Sequence, residues 1–274
     1  MINNIRIGKN LVDLITPKVM SIVNCTPDSF YKGSRVDSVS DALFRVQKHI
    51  EDGADILDIG GYSSRPGAAE VSEIEELNRV VPVVIAVRKE FPDILISCDT
   101  FRGKIAEEAL NSGAQIINDI SGGDIDSNIL QVVSNFQCPY ILMHSKGTPQ
   151  TMQNLTTYTS LFKEVVTYFS QKLNDLHKIG IHDVILDPGF GFAKTLEQNY
   201  ELFDKIQDFH FLGKPLLVGI SRKSMIYNKL GISPEESLNG TTILNAKAIL
   251  AGAKILRVHD TKEAKQLIQL TNGN

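Results

Sequence analysis

Eight short apolar runs recur along the chain, each followed by a longer stretch with helical spacing, and no other feature narrows the fold as far. They are residues 19–23, 56–59, 94–97, 115–117, 140–143, 184–186, 216–220 and 254–258. Their hydrophobicity is continuous rather than alternating, as strands buried on both faces require. Between them, residues 40–50, 73–89, 104–110 and 158–178 repeat apolar positions with a helical period, and Gly53, Gly113 and Gly180 stand where a helix end would precede the next strand. Strand–helix alternation repeated in this way predicts a closed parallel (β/α)8 TIM barrel, with an open doubly wound sheet as the competing arrangement. A further pair, residues 5–7 and 11–14 around Gly8-Lys9-Asn10, is expected to form a β-hairpin capping the barrel bottom. No linker, charge block or low-complexity stretch interrupts the pattern, so residues 1–274 are expected to form one domain.

Composition narrows the function classes. A net charge of -4 leaves no basic excess to neutralise a nucleic-acid backbone, although a few local cations can still hold a small anion. No apolar run approaches the roughly 20 residues that span a bilayer. Cys25, Cys98 and Cys138 are odd in number, far apart and without CxxC spacing, and read as reduced thiols. With the polar, mixed start of the chain, this predicts a cytoplasmic protein.

A parallel barrel carries its active site at the C-terminal ends of its strands. The runs lead into Asn24-Cys25-Thr26-Pro27-Asp28-Ser29-Phe30, Asp58-Ile59-Gly60-Gly61, Asp99-Thr100, Asn118-Asp119, His144, Asp187-Pro188-Gly189-Phe190-Gly191, Ser221-Arg222-Lys223 and Arg257-Val258-His259-Asp260. One such Asp would as readily cap a helix as catalyse. Polar groups at all eight ends converge, and a ring of carboxylates, amides and cations reads as a site. Asp58, Asp99, Asn118, Asp187 and Lys223 would form a deep patch suited to a flat heterocycle with several donors and acceptors. Arg65, Arg257 and His259 would form a separate cationic patch for a phosphate or diphosphate, although His259 could instead serve as a base. Residues 189–195 look superficially like a phosphate loop, but lack the glycine before the lysine and the required spacing.

Taken in order, these motifs, with Ser64-Arg65-Pro66-Gly67, Met143-His144, Gly147-Thr148-Pro149 and Gly219 to Lys223, resemble those of the dihydropteroate synthases, from about Val19 onward. The resemblance implies condensation of 6-hydroxymethyl-7,8-dihydropterin pyrophosphate with p-aminobenzoate; an electron-rich pterin able to share positive charge on its methylene would favour an SN1-like path, with concerted displacement as the alternative. It also implies that Asp99, Asn118, Asp187 and Lys223 hold the pterin ring, with Ile120 and Met143 lining its pocket and Gly219 admitting it. Asn24 would ligate a magnesium ion (Mg2+) on the pyrophosphate, which Ser64, Arg65, Arg257 and His259 would hold. Phe30, Ser64, Pro66, Phe192, Ser221 and Lys223 would border the p-aminobenzoate site. Asp99, Lys223, Arg257 and His259 would be the catalytic set. Members of the family are commonly homodimers packed through outer helices. The chain departs from the family's usual residues at Cys25, at Tyr62-Ser63-Ser64 and in residues 31–34. Two rival readings are a pterin-binding methyltransferase-type domain and a non-catalytic pterin-binding paralogue. The former would not need the first-loop motif or Arg257-Val258-His259, and the latter would be expected to lose Asn24, Arg65 or His259.

Overall fold

A computed structural model of the chain describes residues 4–8, 10–25, 35–62 and 70–271. The eight runs form eight parallel strands: β3 (Lys18–Asn24), β4 (Ile56–Gly60), β5 (Leu95–Asp99), β6 (Ile116–Asp119), β7 (Tyr140–Met143), β8 (Val184–Asp187), β9 (Leu217–Val218) and β10 (Ile255–Val258). They hydrogen-bond in the order β8-β7-β6-β5-β4-β3-β10-β9. The ring closes between β8 and β9 through a parallel bridge of Leu186 to Leu216, with the Leu186 N–H donating to the Pro215 carbonyl at 2.9 Å. The closed barrel therefore stands, and the open sheet is excluded.

The helices are α1 (Arg35–Glu51), α2 (Glu73–Glu90), α3 (Gly103–Asn111), α4 (Asn128–Phe136), α5 (Leu161–Lys178), α6 (Leu196–Phe203), α7 (Ser224–Leu230), α8 (Leu238–Leu250) and α9 (Thr261–Thr271). Each strand is followed by one helix, except β9, which is followed by both α7 and α8. In α5 the buried side chains are Leu161, Val165, Phe169 and Leu176, one stripe of a helix facing the barrel. Burying a side chain the size of Phe169 stabilises the fold by roughly 1.5–3 kcal/mol. The helix starts at Leu161 rather than at residue 158, because the Glu164 carboxylate accepts the N–H groups of Thr159 and Ser160 and ends the preceding loop there.

At the bottom, β1 (Asn4–Ile7) and β2 (Asn10–Asp13) pair antiparallel, with Ile5 opposite Val12 and Ile7 opposite Asn10. Ile5, Ile7 and Leu14 are buried against Met20, Ile56, Ile116, Ile141, Ile185, Leu217 and Ile255, with Leu95 partly buried beside them. Every barrel strand thus contributes one apolar inward residue to a floor closed by the hairpin.

That floor explains why the runs looked uninterrupted. The outward residues, such as Leu57, Ile59, Cys98, Leu142 and Leu186, are buried against the helices. One step above the floor most inward positions turn polar, Asp58, Ser97, Asn118, Asp187 and Arg257 among them, while Ile22 and Met143 stay apolar. Several polar residues placed just after the strands on sequence (Asn24, Asp99, Asn118, Asp187) are in fact their last inward residues.

Candidate active site

Register builds the polar layer. Asn24 pairs with Gly60, Gly60 with Asp99 and Asp99 with Asn118 across β3, β4, β5 and β6, so these four residues lie side by side on the inner wall. A Cβ on Gly60 would stand 3.1 Å from that of Asp99, and one on Gly219 would face that of Arg257 at 3.7 Å. Without those side chains, the layer keeps open floor on two sides, room that a flat ring needs.

Its charges are interlocked. The Arg257 guanidinium donates from Nε to Asp58 Oδ2 at 2.6 Å and from Nη2 to Asp99 Oδ2 at 2.6 Å. Asn118 Nδ2 donates to the same Asp58 oxygen at 2.9 Å. The other Asp58 oxygen, Oδ1, is buried with no hydrogen-bond partner among the described residues. Arg257 therefore belongs to the deep patch, not to a separate rim cluster. Long side-chain reach and two facing carboxylates draw it inward, because a buried cation is held where its charge is matched. Burial disfavours that charge, but Asp58 and Asp99 more than offset it and hold the guanidinium firmly protonated.

Burial pushes the Asp99 carboxyl up to about 7, with Arg257 opposing and Asp58 adding to the rise. Asp187 is raised as well, chiefly by burial, against the pull of Lys223 and of the Gly189 N–H, which donates to its Oδ1 at 2.8 Å. Burial lowers Lys223 to about 8, with Asp187 opposing. The Lys223 ammonium donates to the Phe190 carbonyl at 2.6 Å and stands 4.6 Å over the Phe192 ring. Asp99 and Lys223 are thus poised near neutrality, as groups that exchange partners with a ligand often are.

Higher on the wall, Ser221 is buried and its Oγ accepts the His259 N–H at 3.2 Å, joining the ends of β9 and β10. Met143 is buried, and Ile120 and Asn24 are half-buried. Phe30, Ser64, Arg65 and Pro66 lie outside the described residues.

Four residues, Arg222, Asp260, Thr195 and Glu76, carry structure instead of site chemistry. Arg222 adopts φ 53° and clasps Asp260 with two N–H groups, at 2.9 and 2.8 Å, while donating to the Glu235 carbonyl at 2.7 Å. Asp260 is thereby the latch between two strand ends. Thr195 of the phosphate-loop look-alike caps α6 in a capping box with Gln198. Glu76, unremarked in the sequence reading, is fully buried behind Asp99, accepting from Thr100 Oγ1 at 2.7 Å and from Arg102 at 2.5 Å. Its signal was legible: it is the one carboxylate on the stripe that α2 buries with Val80, Val84 and Val87.

Comparison with known proteins places this architecture. The pterin binding enzyme family model matches residues 20–259. A dihydropteroate synthase of Synechocystis sp. is 45% identical over 258 residues, 93% of this chain and 89% of that protein. The chain belongs to the dihydropteroate synthase family. Among solved structures, the Yersinia pestis dihydropteroate synthase in a sulfonamide drug complex superposes with a TM-score of 0.91 at 38% identity, covering 98% of both chains. The Xanthomonas albilineans dihydropteroate synthase with 4-aminobenzoic acid gives 0.90 at 33% identity, covering 98% of this chain and 96% of that one. The chain is therefore an enzyme of this transferase family on a TIM barrel, and the family resemblance read from its motifs holds.

At one departure from the family's usual residues, the structure supplies a reason for tolerance. Cys25 is buried among apolar residues, and burial pushes its thiol up to about 12, so it packs as a small hydrophobe. Cys98 and Cys138 are likewise buried and free. No helix among the described residues is long and apolar enough to cross a membrane.

Proposed function

We propose that the inner polar layer binds the pterin ring of 6-hydroxymethyl-7,8-dihydropterin pyrophosphate, and that its mouth delivers p-aminobenzoate to the exocyclic methylene, giving 7,8-dihydropteroate and pyrophosphate. The observation that carries this reading is the layer itself: Asp99, Asn118 and Asp187 on three inward strand ends, Lys223 at the start of α7 facing Asp187 and Asp99, and an unpartnered Asp58 oxygen among them. An aminopyrimidinone presents adjacent N–H donors, which a carboxylate accepts in parallel, and acceptors suited to an amide N–H or an ammonium. Ile120, Met143 and the open floor at Gly219 would receive the ring's apolar faces.

The diphosphate would lie at the mouth against Arg65, Ser64 and His259, with Arg257 reaching it from the deep patch, where Asp58 and Asp99 hold its guanidinium. The backbone of His259 is already fixed by Ser221. Asn24 ends β3 beside Gly60 and offers one hard amide oxygen, and the described residues contain no group of three or more His, Cys, Asp or Glu side chains able to cage an ion. This donor set fits Mg2+ arriving with the diphosphate, since that ion keeps waters and shares few protein ligands with substrate phosphates. When bound, it supplies Lewis-acid neutralisation of the charge growing on the leaving oxygen.

The aromatic amine is neutral at pH 7 and needs no strong base, so departure of pyrophosphate is the difficult event. Arg257 and His259 would stabilise the leaving anion, each such preorganised contact being worth on the order of 3 kcal/mol. Asp99 would stabilise positive charge on the pterin methylene, which favours an SN1-like path. Lys223 over Phe192, with Ser221, Ser64, Pro66 and Phe30, would border the aryl amine. A homodimer fits Ile243 and Leu250, exposed two turns apart on one side of α8, and a cytoplasmic location fits three free thiols. The test is pyrophosphate release from the pterin substrate with and without p-aminobenzoate and magnesium. Release that requires both and yields dihydropteroate supports the reading. Tight pterin binding without turnover would move it to a non-catalytic paralogue.

A further inference from the structure

The loop between β8 and α6 buries a lysine that the chemistry above leaves unused. Lys194 is 4% exposed, and its Nζ donates to the carbonyls of Gly189 at 2.9 Å and Phe192 at 3.0 Å. It also faces Nδ1 of His144 at 3.1 Å, with the His144 carbonyl farther off at 3.5 Å. His144 is buried beside the rings of Tyr158, Tyr168 and Phe169. Burial and the nearby Lys194 and Lys146 cations keep its imidazole neutral, which leaves Nδ1 able to accept. An ammonium has three donors, and here three acceptors converge on it.

The peptide groups that Lys194 gathers adjoin the substrate-facing ones. Between the two carbonyls it holds lie Phe190, whose own carbonyl accepts from Lys223 at 2.6 Å, and Gly191. Gly189 also donates its N–H to Asp187 Oδ1 at 2.8 Å. Phe192, the second anchor, presents its ring to the Lys223 ammonium at 4.6 Å. His144 joins this loop to the end of β7, since its N–H donates to the Asp187 carbonyl at 2.9 Å. Without the ammonium, the Phe192 carbonyl and the buried His144 Nδ1 would face one another with no donor, the Gly189 carbonyl would keep only the Phe192 N–H at 3.1 Å, and the loop would have to open to hydrate them.

We propose that Lys194, with His144 as its acceptor, is a positioning residue whose ammonium sets the loop that aims Asp187 and Lys223 at the pterin ring and Phe192 at the aryl amine. The proposal rests on the assignment of Asp187 and Lys223 to the pterin ring made above.

Lys194→Met keeps the length of the side chain and removes every donor. Full-length variant and wild type would be titrated with 6-hydroxymethyl-7,8-dihydropterin and, separately, with magnesium pyrophosphate, alongside steady-state kinetics and thermal unfolding. The expected result is pterin affinity weakened at least tenfold (about 1.4 kcal/mol), a raised KM for p-aminobenzoate, kcat within about threefold, and pyrophosphate affinity within about twofold. A merely structural role would weaken both ligands alike. His144→Leu removes one acceptor only, and should give a smaller loss, about threefold, confined to the pterin. It decides the matter if Lys194→Met does not fold. A folded Lys194→Met that binds pterin within twofold of wild type, equal losses for both ligands, or normal pterin binding by His144→Leu when Lys194→Met is unfolded would overturn the proposal. Asp187→Asn separates the two levels. If it also binds pterin normally, the pterin assignment fails; if it alone loses binding, only the role of Lys194 fails.

Discussion

Replacing Asp99 by asparagine should separate stability from function. Burial raises this carboxyl from its ordinary 3.8 to about 7, although Arg257 opposes the shift. Its side chain is one-fifth exposed. A raised value means that the folded protein binds the proton more tightly than the unfolded chain. The stability Asp99 contributes is therefore fully present below about pH 4, declines as the pH rises, and is lost above about pH 7. A shift of roughly three units corresponds to about 4 kcal/mol in total. Of that, about 2 kcal/mol falls between pH 5 and pH 7. Asparagine keeps the shape and an oxygen for the Arg257 N–H, but does not titrate. Relative to wild type, the Asp99→Asn protein should gain about 2 kcal/mol across that interval, or roughly 4 °C or more in Tm for a chain of this size. Glu76, Asp119 and Asp187, whose values burial also raises, titrate in both proteins and cancel in the difference. Thermal unfolding at pH 5, 6, 7 and 8 measures the gain, and a pterin titration at pH 8 should show affinity at least tenfold weaker, the typical worth of a charged hydrogen bond. A Tm difference that stays flat with pH, or that runs against the variant as pH rises, would refute the reasoning.

Three further outcomes follow from the same geometry. Arg257→Leu strands Asp58 and Asp99 without the cation that joins them, and should cost about 3–5 kcal/mol in denaturant unfolding, with Arg257→Lys recovering part; a cost under about 1 kcal/mol would show that the carboxylates are satisfied otherwise. Gly189→Ala would place a Cβ 2.0 Å from the His144 carbonyl oxygen at φ 70°, so the loop must shift, with a stability loss of about 3 kcal/mol or more and weaker pterin binding by calorimetry. Because burial lowers Lys223 to about 8, its ammonium is lost as pH rises through that value, so pterin affinity should decline above about pH 8; Lys223→Arg should flatten that limb, and a limb that persists would assign it elsewhere.

Much of this was legible in the residues. The runs at 19–23 and 140–143 gave their strands nearly to the residue, because burial on both faces leaves no ambiguity in an apolar stretch. The hairpin was legible because residues 5–7 and 11–14 flank a glycine turn. The inward layering was not legible, since continuous hydrophobicity conceals which face a residue takes until the register is known. Arg257 shows the same limit: its place in the order suggested an anion clamp, while its reach toward Asp58 and Asp99 depends on strands brought together by closure. Lys194 was read only as part of a failed phosphate loop, and nothing local in the chain announces that His144, fifty positions earlier, supplies its acceptor.

The central claim, that the inner layer of the barrel recognises the pterin ring by itself, is tested most directly by calorimetric titration of wild type and Asp187→Asn with 6-hydroxymethyl-7,8-dihydropterin, which carries no diphosphate. Saturable binding without magnesium, weakened at least tenfold by Asp187→Asn, is the predicted result. Binding that needs magnesium, or that the substitution leaves unchanged, would contradict it.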